Sequence, residues 1–251
     1  MSSRARTLFF LVSAAGLAAL FAWGFHDLPP MGQYRGPYGN VVSKIAVYER
    51  HATDVVNAIN YDYRAFDTLG EEFILFASVM GVLLLFRPSG QGDNHDNERS
   101  QLEDALPVSD TLRVGMQAMA GTMVVFGVYI ATHGQLTPGG GFQGGVILAT
   151  VPLIVYLSGN VKTLDKILSS PVTKLAESGG AGGYAVIGIA AMLVGAHFLT
   201  NFLPLGKTGD LFSSGTIEVI SITVGLEVTG GFLVLMKTYL REIIEEQLEG
   251  E

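Results

Sequence analysis

Cysteine is absent from these 251 residues, which excludes disulfides, thiolate metal sites and thiol nucleophiles and leaves the redox compartment open. Charge is scarce: Asp, Glu, Lys and Arg make up 15% of the chain, against about 25% in soluble domains. Basic residues are the scarcer kind, 15 against 23 acidic for a net charge of -8, and that balance argues against a nucleic-acid partner. What the chain has instead is hydrophobic residues, 49%, and glycine, 32 in all. This composition predicts an integral protein of the lipid bilayer.

The apolar runs set the expected architecture. Thr7 to Phe25 is unbroken after Arg4 and Arg6; it is longer than the core of a secretory signal and just long enough to span, so a retained first helix is expected, with a cleaved signal peptide as the alternative. Residues 31–66 contain no span. Val41, Ile45, Tyr48, Val55, Val56 and Ile59 recur at near-helical spacing and predict an amphipathic helix over 41–59. Phe73 to Phe86 is apolar but short for a bilayer unless its helix begins near Thr68. Residues 88–106, rich in Gly, Asp and Asn, read as a solvated linker. Beyond it lie four further candidate spans, near 114–132, 141–158, 182–203 and 215–239, with a short surface helix around Lys162, Lys166 and Lys174.

The fold class expected is therefore all-α, a polytopic transmembrane helical bundle of about six spans. With both termini inside, the outer side keeps only Arg35, Lys44, Arg50, Arg64 and Lys207 of the Lys and Arg residues, the asymmetry the positive-inside rule describes.

Between the third and fourth spans, Thr132 to Gly145 reads Thr-His-Gly-Gln-Leu-Thr-Pro-Gly-Gly-Gly-Phe-Gln-Gly-Gly. Pro138 lacks a backbone donor and disfavours helix at Thr137, while Gly139, Gly140 and Gly141 open backbone angles closed to other residues, so a tight hairpin is expected. Gly139, Gly141 and Gly144 match a dinucleotide-binding pattern formally, but that motif follows a strand, and here an apolar span precedes it.

His133-Gly134, Thr137 to Phe142 and Gly144-Gly145 resemble the signature hairpin of the B subunit of Mrp-type (Mnh-type) multisubunit cation/proton antiporters. Phe212 to Ile217 and Val224 to Val228 extend the resemblance, which covers about residues 107–240. Upstream, Asp62-Tyr63-Arg64-Ala65-Phe66-Asp67-Thr68-Leu69-Gly70-Glu71 is similar to the short C-terminal module of the antiporter A subunit, a separate small subunit in membrane-bound hydrogenases. The resemblance implies a fusion: a two-span module over 1–87, the linker over 88–106 and a four-span B-like domain over 107–251. It also implies a cytoplasmic (inner) membrane location, other antiporter-type membrane subunits as partners, and Na+ and H+ as transported ions. No catalytic site or cofactor is implied. The competing readings are the membrane arm of a redox-driven ion pump and a structural scaffold.

Few residues are placed to carry chemistry. Asp67 and Glu71 are four apart and share a helix face, and carboxylates in hydrocarbon cost about 2.5–3.5 kcal/mol on insertion scales. Thr68-Leu69-Gly70-Glu71 is also a capping box, with Thr68 as helix cap. The resemblance implies the ion-transport role, since the matching Asp and Glu of the family motif are implicated in transport. Glu227, mid-way along the last span, is expected to face a bundle interior or water path, or to be protonated and bonded across a subunit contact. His197 reads either as a proton relay in the fifth span or as a hydrogen-bonded packing residue. His133 reads as a cap on its helix end or as a proton-entry group. Neither histidine has a second ligand at usable spacing, so no bound metal is expected.

Overall fold

The computed structural model describes residues 3–26, 28, 31–32, 36–86, 108–159, 161–168 and 171–249. Residues 88–106, the expected linker, and Pro29-Pro30 lie outside the described residues. Every regular element among the described residues is helical. The chain divides into two compact units, Met1–Val41 and Val42–Glu251.

The first unit holds α1 (Ser3–His26), apolar on every side and exposed along its length, as suits a helix whose solvent is lipid. The second unit begins within α2 (Pro37–Arg50), whose Val42 and Ala46 are buried. The single helix expected over 41–59 is broken. His51 takes a left-handed backbone angle (φ 54), and Asp54 then caps a new turn, α3 (Val55–Ala58), by accepting the N–H groups of Val56 at 2.8 Å and Asn57 at 3.4 Å.

α3 widens into a π-helical turn over Ile59–Tyr63, closed by the Arg64 N–H on the Ile59 carbonyl at 2.7 Å. The chain kinks at Arg64 and enters α4 (Ala65–Leu85). This start corrects the capping-box expectation. The helix begins before Thr68, whose N–H lies inside the helix, and the Thr68 hydroxyl turns back to donate to the Asn60 carbonyl at 2.8 Å.

α5 (Asp110–Thr132) is capped by Ser109. The hairpin follows, then α6 (Gly141–Leu157), the short α7 (Val161–Leu168), α8 (Pro171–Leu193) and α9 (Thr216–Glu249). Among the described residues, four helical stretches are long and apolar enough to cross a membrane: Thr7–His26, Ala65–Leu85, Asp110–Thr132 and Thr216–Leu240. Gly141–Leu157 and Gly182–Leu193 are shorter apolar helices in the two remaining expected places.

The fifth span departs from expectation at its end. α8 stops at Leu193 instead of reaching residue 203, because Gly195 (φ 84) forms a two-bond helix terminator. The Gly195 N–H donates to Met192 at 3.0 Å and the Ala196 N–H to Ala191 at 3.0 Å. His197 consequently lies in an exposed turn beyond the helix and not within a span.

Glycines fix how the helices meet. A Cβ on Gly141 would strike the Ser221 carbonyl oxygen and come 2.8 Å from the Gly225 nitrogen; one on Gly145 would meet Val228 at 2.7 Å. Moving up both helices together, α6 and α9 therefore run parallel. Val79 packs on Gly231, one heptad past the approach of Glu72 to Glu227, so α4 runs the same way. α5 packs on α6 through Gly127 and Ala131 against Gly144, the close approach by which membrane helices associate.

Tyr184 of α8 is fully buried and donates to the Ala65 carbonyl at 2.8 Å, tying α8 to the start of α4. Tyr184→Phe is expected to remove about 1 kcal/mol of stability, read as a lower melting midpoint of the detergent-solubilised protein.

Candidate functional site

The starts of α4, α6 and α9 and the end of α5 come together at one end of the bundle, under a polar cap. Its centre is Asn57, 2% exposed, on the short α3. The Asn57 side-chain amide donates to Asp54 Oδ2 at 2.8 Å, to the Gly134 carbonyl at 2.5 Å and to the Gly139 carbonyl at 2.8 Å. Gly139 and Gly140 hold positive φ angles of 131 and 129, and a Cβ on Gly140 would sit 2.6 Å from Asn57 Oδ1. The hairpin glycines thus serve close approach to Asn57.

Further bonds fasten the hairpin from both sides. The N–H groups of Thr53 and Asp54 donate to the Gln135 carbonyl at 2.9 and 3.1 Å, and Thr53 Oγ1 donates to the Leu136 carbonyl at 2.6 Å. The buried Gln135 donates to the Leu211 carbonyl at 2.6 Å. His133 ends α5: its N–H reaches the Tyr129 carbonyl and its ring stacks on Tyr129 at 4.1 Å. Phe142, just after the hairpin, is half-exposed. Pro138 stands in the turn, ahead of the two left-handed glycines.

The 194–215 connection completes the cap. Asn201 donates to Asp62 Oδ2 at 2.9 Å and to the Ser214 carbonyl at 2.9 Å, while its Oδ1 accepts the Thr216 N–H at 2.9 Å and so caps α9 from a distant loop. Arg50 Nε lies 2.8 Å from Asp62 Oδ1. These groups border a cavity of about 640 Å³ whose rim includes Arg64, Asp67 and Phe198. Next to it, burial and the hydrogen bond to Glu49 push the Tyr63 hydroxyl up to about 12. Burial also raises Asp54 above the usual carboxylate range, outweighing the donors it accepts.

Five carboxyls on Ala65–Leu85 and Thr216–Leu240 take four different environments. Asp67 is half-exposed and pairs with Arg64, whose Nε donates to Asp67 Oδ2 at 2.6 Å. Glu71, one turn on, is exposed. Glu72 and Glu227 are 3% and 2% exposed and face each other across the α4–α9 contact. Glu218 is buried in the first turn of α9. Asp67 and Glu71, four residues apart, lie on the exposed face of α4, while Glu72 beside them turns inward. Glu72 falls on the same seam as Ala65, Leu69 and Val79, all buried, but the sequence alone does not mark that seam as the buried one.

Comparison with known proteins places this arrangement. The family described as a domain related to the MnhB subunit of Na+/H+ antiporter matches residues 111–234. An uncharacterized protein of Methanocaldococcus jannaschii is 30% identical over 223 residues, covering 77% of this chain and 82% of its own. A putative antiporter subunit mnhB2 of Staphylococcus epidermidis is 30% identical over 122 residues, covering 43% of this chain and 86% of its own. Among solved structures, a chain of the membrane-bound sulfane sulfur reductase, an archaeal respiratory membrane complex, superposes with a TM-score of 0.69 at 26% identity, over 94% of this chain and 98% of that one. This chain is a multi-pass membrane protein and belongs to the MnhB family of antiporter subunits.

Proposed function

We propose that the chain is a membrane subunit of a multisubunit Na+/H+ antiporter in the cytoplasmic membrane, packing against other antiporter-type subunits and contributing part of the ion pathway. It has no catalytic site of its own in this reading, and both termini lie inside. Residues 1–87 correspond to the end of an A subunit and 107–251 to a B subunit, joined through 88–106. The Asn57 bonds support treating the joined segments as a working whole, since they lock residues 53–57 to the B-type hairpin.

The observation that carries the pathway assignment is the exposure of Asp67 and Glu71 in the first two turns of an apolar span. Acids at such positions are retained where a partner or a water path meets them. Glu227 extends the pathway inward. His197 adjoins Phe198 and Asn201 on the cavity rim, and so serves the mouth of the path in this reading.

Asp67→Asn and Glu71→Gln are each expected to lower cation-driven proton movement in membrane vesicles roughly tenfold or more while the complex stays assembled. Near-normal transport in both variants would refute the assignment. A second reading is favoured by the near-complete overlap with a sulfane sulfur reductase chain: the same subunit in a redox-driven pump. Affinity purification from native membranes separates the two. Antiporter-type subunits alone support the exchanger, whereas co-purifying iron–sulfur or nickel-bearing chains support the pump.

A further inference from the structure

We infer that Glu72 and Glu227 form a proton-binding site inside this chain, separate from the exposed Asp67 and Glu71, and connected to the polar cap through Tyr61 and Tyr184. The inference rests on the chain being an ion-transport subunit and deepens that reading by naming an interior site and its ligand.

The two carboxyls are both buried and interact directly across the α4–α9 contact. Among the described residues, no donor reaches Glu72 Oε2 or either oxygen of Glu227. No lysine, arginine or histidine of the described residues pairs with them, and they meet between two apolar helices. A structural carboxyl in such a place would be expected to accept a hydroxyl or amide. Here neither is offered to these oxygens, and the pair is completed by one proton shared between the two carboxyls.

The surroundings close around the pair. Gly180 of α8 lies so tightly against the Glu227 backbone that any side chain there would collide with it. The titratable groups near Glu72 are Glu71 on its own helix, Tyr61 from the π-helical turn and Tyr184 from α8. Tyr61 interacts with both Asp54 of the cap and Glu72, with its oxygen toward the amides of Gly141 and Phe142. Tyr184 is near Thr68, Tyr61 and Glu72. Carboxyl and hydroxyl groups thus lead from the hairpin to the pair through the interior of the bundle.

A proton suits this site better than an alkali cation. Hard cations take oxygen-rich shells, and no cluster of three or more His, Cys, Asp or Glu exists among the described residues. The exchange is simple: a proton arriving from the cap bridges the two carboxyls, and its departure leaves them repelling, which favours prompt reprotonation or a shift of α4 against α9.

The test uses the intact complex in native membranes. Dicyclohexylcarbodiimide, which modifies protonated carboxyls in apolar surroundings, is applied across a pH series and the adducts are mapped by mass spectrometry. Expected is an adduct on Glu72 or Glu227 that fades as pH rises and persists in saturating Na+. No adduct on either residue, with other subunits labelled, would overturn the site; protection by Na+ would overturn the proton as its ligand. Glu72→Gln and Glu227→Gln should each assemble yet lose proton-coupled exchange roughly tenfold or more, with Glu72→Asp partly active. Wild-type exchange in both glutamine variants would also overturn it. The labelling reads the pair whatever drives transport, so its failure is distinct from failure of the antiporter reading, which the purification decides.

Discussion

A single methyl group at Gly141 is expected to keep this chain out of its complex. In Gly141→Ala the new carbon would overlap the Ser221 carbonyl oxygen and press within 2.8 Å of the Gly225 nitrogen and the Val224 Cβ. Two of these three are backbone atoms of α9, so no rotamer change relieves the overlap and α6 must move as a body. Overpacking costs about 1–3 kcal/mol where side chains can adjust; a backbone collision belongs at or above the top of that range. That is a large share of the roughly 5–15 kcal/mol that holds a folded protein together. The displacement would also pull the hairpin away from Asn57. The measurement is the fraction of tagged chain recovered in the assembled complex after mild detergent extraction. Gly121→Ala is the control: a Cβ there meets nothing within 4 Å in this chain, and recovery should be unchanged. Equal recovery of both variants would show that glycine at 141 is not required for packing.

The second large effect is expected from Asn57→Ala. One amide group serves three acceptors, the Asp54 carboxyl and the Gly134 and Gly139 carbonyls, and alanine serves none. Stranding buried acceptors costs about 1–3 kcal/mol each where water cannot enter; with partial hydration of the loop, roughly 2–4 kcal/mol in total is expected. The loss should appear as a lower melting midpoint and as new protease cleavage within residues 133–140. The damage should be local at first, because α5 and α6 keep their glycine contact through Gly127 and Gly144. A wild-type cleavage pattern would mean that Thr53, Asp54 and Gln135 hold the hairpin without Asn57.

What could be read in the sequence was what local chemistry or length decides. Apolar runs near bilayer length became helices in their expected places, since burying twenty apolar residues in lipid leaves the backbone no other way to satisfy itself. The Pro138 to Gly141 turn was visible for the same reason: proline and glycine restrict or free the backbone regardless of context. The end of α8 was misplaced because Ala196, Phe198 and Leu199 continue the apolar pattern past Gly195, and one glycine set against that run gives a weak signal.

The candidate site divides in the same way. The sequence by itself determined an all-helical membrane chain with a glycine hairpin, and the Asp67–Glu71 spacing on one helix face. It also singled out Glu227 as an acid midway along an apolar span. Only the tertiary structure decided that Glu72, not Glu71, turns inward to meet Glu227, and that Asn57 carries the hairpin. α4 is apolar on nearly every side, so its hydrophobic pattern does not mark the face that will be buried. That face is chosen by the partners that reach it from far along the chain: Tyr184, Glu227 and Gly231.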